Sequence, residues 1–362
     1  MFNTKAAVLN KECKNQNNCK NISQNIISNL INSEENDFFK NKQDNIYLNN
    51  KKNCNYINNS NLISDFSKIN NISYNIIELL KSNQNIKTYK DIIDYMTFDD
   101  LFKMFYFILN NMMIFISNSQ SYLIIDKVIS LYNSFSHTES IFAFLSSFFY
   151  KKIIYLVNYC SYKTTILNLV QVLGFPKNEF IFSEIKEDFK NFSKTRQGCL
   201  LIQNLFSLGN DIQQQNLLDE ILFQSNELIV DKYGHYIFKY LLYKAEHGEK
   251  YYLLIFNKIV NNLKKYTNNK YSSVVIERLL DSSNEDITNK IIERVCENEK
   301  DVEELIYHPF GNYVLQKIIN ISKDKDILGM IYKTIMKNKN SIYNLSYGKK
   351  LIKEIDIIYT LK

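Results

Sequence analysis

One ten-residue segment returns along this chain at almost constant intervals, and that regularity restricts the fold more than any other feature of the sequence. Its clearest copy is HPFGNYVLQK, His308–Lys317. The segments TRQGCLLIQN (Thr195–Asn204), DKYGHYIFKY (Asp231–Tyr240) and NKYSSVVIER (Asn269–Arg278) share its layout. With the glycine or serine of each copy as anchor, Gly198, Gly234, Ser272 and Gly311 are spaced by 36, 38 and 39 residues. A further copy, with Gly348 as anchor, follows 37 residues later. A unit this short cannot bury its own apolar face, so such units stack on their neighbours as a solenoid.

Each copy reads as a helix. In His308–Lys317 and the two residues after it, Val314 and Ile318 mark a core side, and Leu315 and Ile319 widen that stripe. Asn312 and Gln316, four residues apart, share a different face. Asn and Gln each donate and accept hydrogen bonds, which is what reading a nucleobase edge requires, and Tyr313 beside them offers a flat ring. In isolation such a face is more simply a solvated one; its return in register is what changes the reading.

The rest of the chain agrees with an all-α fold. Of 362 residues, only 8 are Gly and 2 are Pro, too few for a fold built on many tight turns. Apolar residues recur at helical spacing from about Asn61 onward, broken only by short polar stretches. Fainter anchors precede the strong ones at Ser23, Ser73, Ser121 and Lys163, which lie 50, 48, 42 and 35 residues from their successors. The longer gaps imply inserted loops, among them the Asn- and Lys-rich stretch 33–60. The expected organisation is a flexible tail over 1–16, then eight units and a terminal cap. Units are degenerate over 17–185 and strong over 186–358.

Several function classes lose ground here. The six cysteines form no CxxC and keep no zinc-finger spacing to a histidine, so free thiols in a reducing compartment and no metal are expected. Met1–Asn18 has no apolar core of the secretory kind. Met104–Ile116 and Ile141–Tyr150 fall short of the roughly 20 apolar residues a membrane span needs. No P-loop, GxGxxG or other catalytic signature is present, so no enzyme and no cofactor are expected. A formal charge of +6 suits a nucleic-acid partner without demanding one.

A helical repeat of about 36 residues carrying Gly-Asn-Tyr-x-x-Gln resembles the Pumilio (PUF) family of RNA-binding proteins. The order of motifs strengthens it: Cys199 with Gln203, an unusual unit, Ser273 with Glu277, then Asn312 with Gln316 is the order of the family's fifth to eighth repeats. Tyr347-Gly348-Lys349 looks like the start of its closing half-repeat. The resemblance implies an all-α, right-handed superhelical solenoid of about eight three-helix repeats with terminal caps. It also implies that residues i and i+4 of each unit meet one base edge while residue i+1 stacks.

On that basis Asn312 and Gln316 take uracil, Ser273 and Glu277 guanine, and Cys199 and Gln203 adenine. Stacking falls to Tyr313, Val274, Tyr236 and Leu200. His235 and Lys239 depart from the family's uracil pair, since lysine donates but cannot accept. Thr164 with Asn168 and Tyr122 with Asp126 follow no familiar pairing, nor do Tyr74 with Glu78 and Gln24 with Ser28.

The strand runs antiparallel to the repeats in this family, so the readable core is 5′-UGNA, close to UGUA. The function so implied is binding of single-stranded mRNA in 3′ untranslated regions by a monomer away from membranes. Repression or decay would follow through a recruited deadenylase or translational repressor, with a cytoplasmic location. The alternatives are a nucleolar Pumilio-like factor for ribosomal RNA processing with relaxed specificity, and a HEAT- or armadillo-like protein scaffold.

Overall fold

The computed structural model describes residue 93 and residues 96–132, 138–244 and 250–361. The anchors at Ser23 and Ser73, their pairs, and the tail over 1–16 lie outside the described residues. Every regular element among the described residues is a helix. The chain divides into two compact units, Met1–Glu184 and Ile185–Lys362.

In the N-terminal unit the helices α1 (Phe98–Asn110), α2 (Met112–Ser117) and α3 (Tyr122–Leu131) form one triplet. A second triplet follows in α4 (Thr138–Phe149), α5 (Ile153–Tyr159) and α6 (Lys163–Leu173). Like packs on like: α1 against α4, and α3 against α6. The core is aromatic, with Phe105 and Phe144 stacked at 4.1 Å and Phe148 edge-on to Phe149 at 5.1 Å. Among the described residues no single helix is long and apolar enough to cross a membrane; α4 and α5 reach that length only together, and a 68° bend separates them.

The helix α7 (Glu179–Glu187) runs over the division between the units, followed by α8 (Phe189–Ser193) and α9 (Arg196–Leu208). The same order of helices then repeats. It continues as α10 (Asp211–Phe223), α11 (Ser225–Leu228) and α12 (His235–Lys244), then α13 (Lys250–Ile259), α14 (Leu263–Thr267) and α15 (Ser272–Leu279). It ends with α16 (Glu285–Val295), α17 (Glu299–Tyr307) and α18 (Gly311–Ile321), then α19 (Lys325–Lys337), α20 (Lys339–Tyr343) and α21 (Gly348–Leu361). After the last anchor, Gly348, the chain holds the single helix α21.

Asparagines that read as compositional bias do local work. Asn210, Asn284 and Asn298 are N-caps whose side chains accept from the first-turn N–H groups of α10, α16 and α17.

In this C-terminal unit the third helices α9, α12, α15, α18 and α21 pack in sequence, each against the next. Val314, Leu315, Ile318 and Ile319 are wholly buried in that row, each side chain contributing about 1.5–3 kcal/mol. Polar ties about one repeat apart lock neighbours together. Tyr266 Oη donates to Asn226 Oδ1 at 2.7 Å, Asn268 Nδ2 donates to Glu304 at 2.6 Å, and Tyr347 Oη donates to the Ile306 carbonyl at 2.7 Å.

The anchor position has a steric reason. A Cβ on Gly198 would lie 2.0 Å from the Phe192 carbonyl oxygen, and one on Gly348 would lie 1.7 Å from that of Ile342. The short helix ends against the start of the third helix there, which leaves no room for a Cβ at Gly198 or Gly348. Ser272 answers the same position with a hydrogen bond, its Oγ donating to the Tyr266 carbonyl at 2.7 Å.

Candidate nucleic-acid interface

Burial along the third helices fixes the register. From each of the anchors Gly198, Gly234, Ser272 and Gly311, positions +3, +4, +7 and +8 are buried, while +2 is open or half-buried. Position +1, the first residue of each expected reading pair, is buried in Cys199, His235, Ser273 and Asn312. Position +5, the second, is half-buried in Gln203, Lys239 and Glu277 and 8% exposed in Gln316. The stacking residues Tyr313, Tyr236 and Leu200 are 54%, 47% and 37% exposed, so their faces are open to a ring, and Val274 is half-buried.

Three of the four first residues are tied back to their own helix start. Asn312 Nδ2 donates to the carbonyls of His308 and Pro309 at 2.9 and 3.0 Å. His235 Nδ1 lies 2.9 Å from the Asp231 carbonyl, and Cys199 Sγ donates to that of Arg196 at 3.3 Å. The second residues hold the unspent hydrogen-bonding capacity. Gln316 Nε2 gives one hydrogen to Asn312 Oδ1 at 3.0 Å, leaving its other N–H and its Oε1 free to meet an acceptor and a donor of a ligand. Gln203 Nε2 is shielded from solvent and has no acceptor within reach, a state that an incoming acceptor relieves.

Glu277 is an acceptor held under tension. Burial raises its carboxyl above the ordinary range and Asp281 adds to the rise, whereas Lys317 and Lys239 pull it down. Two N–H donors from guanine would satisfy such a carboxylate, and Ser273 beside it is small. Lys239 lies 5.5 Å over the Tyr236 ring, and Lys317 pairs with Asp281.

His235 is the residue whose chemistry the sequence concealed. A carbonyl only accepts, so Nδ1 must carry the proton and the neutral ring leaves Nε2 as an acceptor. Burial lowers its pKa and Lys239 adds to that, so the ring is neutral at pH 7 despite the opposing pull of the Asp231 carbonyl. Tyr236 at 4.1 Å and Tyr271 at 5.3 Å enclose it.

The N-terminal unit departs from this scheme, and one assignment needs correcting. Around α6, burial falls on Thr165, Ile166, Leu169 and Val170, which puts the anchor at Tyr162 and not Lys163. A backbone bond agrees: Tyr162 N donates to the Leu156 carbonyl, six residues back, the same offset as Ser272 to Tyr266. A slip of one residue turns the helix face by about 100°. Thr164 therefore falls at the exposed stacking position and Asn168 one place beyond the pair, while Lys163 and Leu167 occupy the paired positions. Around α3 the anchor Ser121 holds, with Tyr122 and Asp126 at the pair. Ser121 Oγ and Tyr162 Oη, the two anchors, are hydrogen-bonded at 2.8 Å.

Among the described residues no group of three His, Cys, Asp or Glu could hold a metal, and Cys160, Cys199 and Cys296 are buried thiols. An α-helical repeat array with one small set of side chains per unit is a binding scaffold in its architecture.

Comparison with known proteins gives the class a name. The Pumilio-family RNA binding repeat model matches residues 189–222, 267–296 and 301–332. Pumilio homology domain family member 4 of Saccharomyces cerevisiae is 30% identical over 187 residues, 49% of this chain and 21% of that protein. Putative pumilio homolog 13 of Arabidopsis thaliana is 28% identical over 165 residues, 45% of this chain and 30% of that protein. The chain therefore aligns with less than a third of the length of either.

Two solved structures share the fold. One is a Puf4 mutant bound to the Cox17 RNA 3′ UTR recognition sequence, with TM-score 0.65 and 19% identity, covering 83% of this chain and 100% of the other. The other is the RNA-binding domain of yeast Puf5p bound to AAT2 RNA, with TM-score 0.63 and 20% identity over 84% and 91% of the two chains. Over residues 189–222, 267–296 and 301–332 the chain carries repeats of the Pumilio type.

Proposed function

We propose that the chain binds single-stranded RNA sequence-selectively through α9, α12, α15 and α18, and that it reads a 5′-UGUA-like core. The observation that carries this is the division of labour within each pair. The first residue is buried, and in three of four units it is fastened to its own backbone; the second keeps hydrogen-bonding capacity for a partner.

Gln316 meets uracil, Glu277 guanine and Gln203 adenine. At the third base, His235 Nε2 accepts the N3–H of uracil while Lys239 donates to the neighbouring carbonyl. Together they supply the acceptor that lysine alone lacks. Two tyrosines at stacking positions add about 1–3 kcal/mol per base. The targets are mRNA 3′ untranslated regions in the cytoplasm, and the consequence is repression or decay through a recruited protein.

Selection of bound RNA from a random pool tests this. Enrichment of UGUA, or of UGNA, supports the reading; appreciable affinity with no enriched motif moves it to a relaxed ribosomal RNA role, which the Lys163/Leu167 pair favours. No binding at low salt leaves a protein scaffold.

A further inference from the structure

The closing triplet repeats the register but changes its chemistry. Counting from Gly348, the two pair positions are Lys349 and Lys353 and the stacking position is Lys350, all three exposed. Where neighbouring units display a mixed set of donors and acceptors, this one displays three ammonium groups. Ammonium only donates and carries full charge, so the set cannot match a base edge but matches phosphate oxygens.

A groove of about 320 Å³ opens beside them, lined by Lys339, Tyr343, Lys349, Lys353 and Asp356 among others. Lys349 lies 4.7 Å over the Tyr343 ring, while Lys350 turns to Glu354 at 3.6 Å. Lys349 and Lys353 make no ion pair among the described residues, and Asp356 sets one negative charge against three positive ones. Lys349 stands in the first turn of the 14-residue helix α21, where the positive end of the dipole adds to its charge. Helix α21 packs directly on α18, and the Tyr347 phenol is close enough to the Tyr313 phenol to have its pKa raised by it, burial being the larger cause.

We infer that Lys349 and Lys353 form a phosphate clamp for the strand where it continues past the base held by Asn312 and Gln316. The clamp rests on the base-reading proposal for its ligand, but it adds a sequence-independent contact beyond the last base read. It sets how RNA enters or leaves the array.

The test measures the affinity of the full chain against KCl concentration for three RNAs. One stops at the core with a free hydroxyl; the others add two nucleotides at the 5′ or the 3′ end. Extension at the 5′ end should raise affinity about fivefold and steepen the log K against log salt slope by about 0.7 per phosphate held. Lys349→Gln with Lys353→Gln should remove that increment and leave binding of the bare core within twofold.

The inference is overturned if the double variant keeps the increment, if the increment depends on which bases are added, or if the 5′ extension produces none. Base reading is judged separately, by the ratio of core to scrambled RNA. Loss of that ratio with the increment intact sinks the reading and keeps the clamp. Absence of all RNA binding overturns both.

Discussion

At α6 the N-terminal unit answers the packing problem of the anchor with a side chain opposite to those of the C-terminal unit. In the C-terminal unit the third helix starts hard against the short helix before it, and glycine or serine is what fits; a Cβ on Gly198 would lie 2.0 Å from a carbonyl oxygen. In the N-terminal unit the equivalent residue of α6 is Tyr162, fully buried, with its ring against Phe148 and Phe149 and its hydroxyl on Ser121. The helix rhythm is common to both. What differs is the residue set on the inner positions: the polar pairs from Cys199/Gln203 to Asn312/Gln316 in one unit, Tyr122 with Asp126 and Lys163 with Leu167 in the other. Stacking like units therefore needs the apolar stripe and a tight helix junction, and it is indifferent to what occupies the pair. Reading chemistry can lapse while the array persists.

The sharpest way to break the comparison is at the anchors. Tyr162→Ala should cost about 3–5 kcal/mol, as removal of a buried ring does, and Gly198→Ala about 1–3 kcal/mol through crowding. Urea denaturation checks both, and equal costs would mean that the junctions are alike after all.

Next in size is the swap of Ser273→Asn with Glu277→Gln, which imports the Asn312/Gln316 pair one unit upstream. It should move the second base from guanine to uracil by about 1–3 kcal/mol, read as a relative-affinity change in competition binding. An unchanged preference would refute the register of the C-terminal unit.

A smaller effect follows from His235. Its folded pKa lies below the ordinary value of 6.5, so the unfolded chain takes up the proton first. Stability should fall as pH drops below about 6.5 and level off below the folded pKa. Selectivity for the third base should weaken over the same window, because protonation turns the Nε2 acceptor into a donor. His235→Asn should flatten both profiles.

The smallest expected effect is that of Thr164→Ala with Asn168→Ala, which should change RNA affinity less than about twofold, since both residues lie off the pair; surface changes of this kind stay within about 0.5 kcal/mol.

The solenoid, the triplet period and the register of the four strong units were legible in the sequence, because the apolar stripe and the small anchor recur together. The slip at α6 shows the limit of that signal. Anchors were recognised by residue type and spacing, and a tyrosine in a glycine's place carries no such mark; the +3, +4, +7, +8 burial pattern identifies it instead. The proton position on His235 was hidden for another reason. It is set by a backbone carbonyl four residues back, and only the geometry of the helix start brings the two within 2.9 Å. The lysines of the closing unit were visible as letters, yet their meaning depended on carrying the register one triplet further.

The fastening of Asn312, His235 and Cys199 to their own helix starts bears on the thermodynamics of any complex. Immobilising a flexible side chain on association costs about 0.5–1.5 kcal/mol. In these three units that loss was largely incurred when the chain folded, so each captured nucleotide has to quiet one side chain instead of two. Such a surface is half-frozen before its ligand arrives, and the entropy opposing association should grow with the number of second-position residues engaged, not with the full count of contacts.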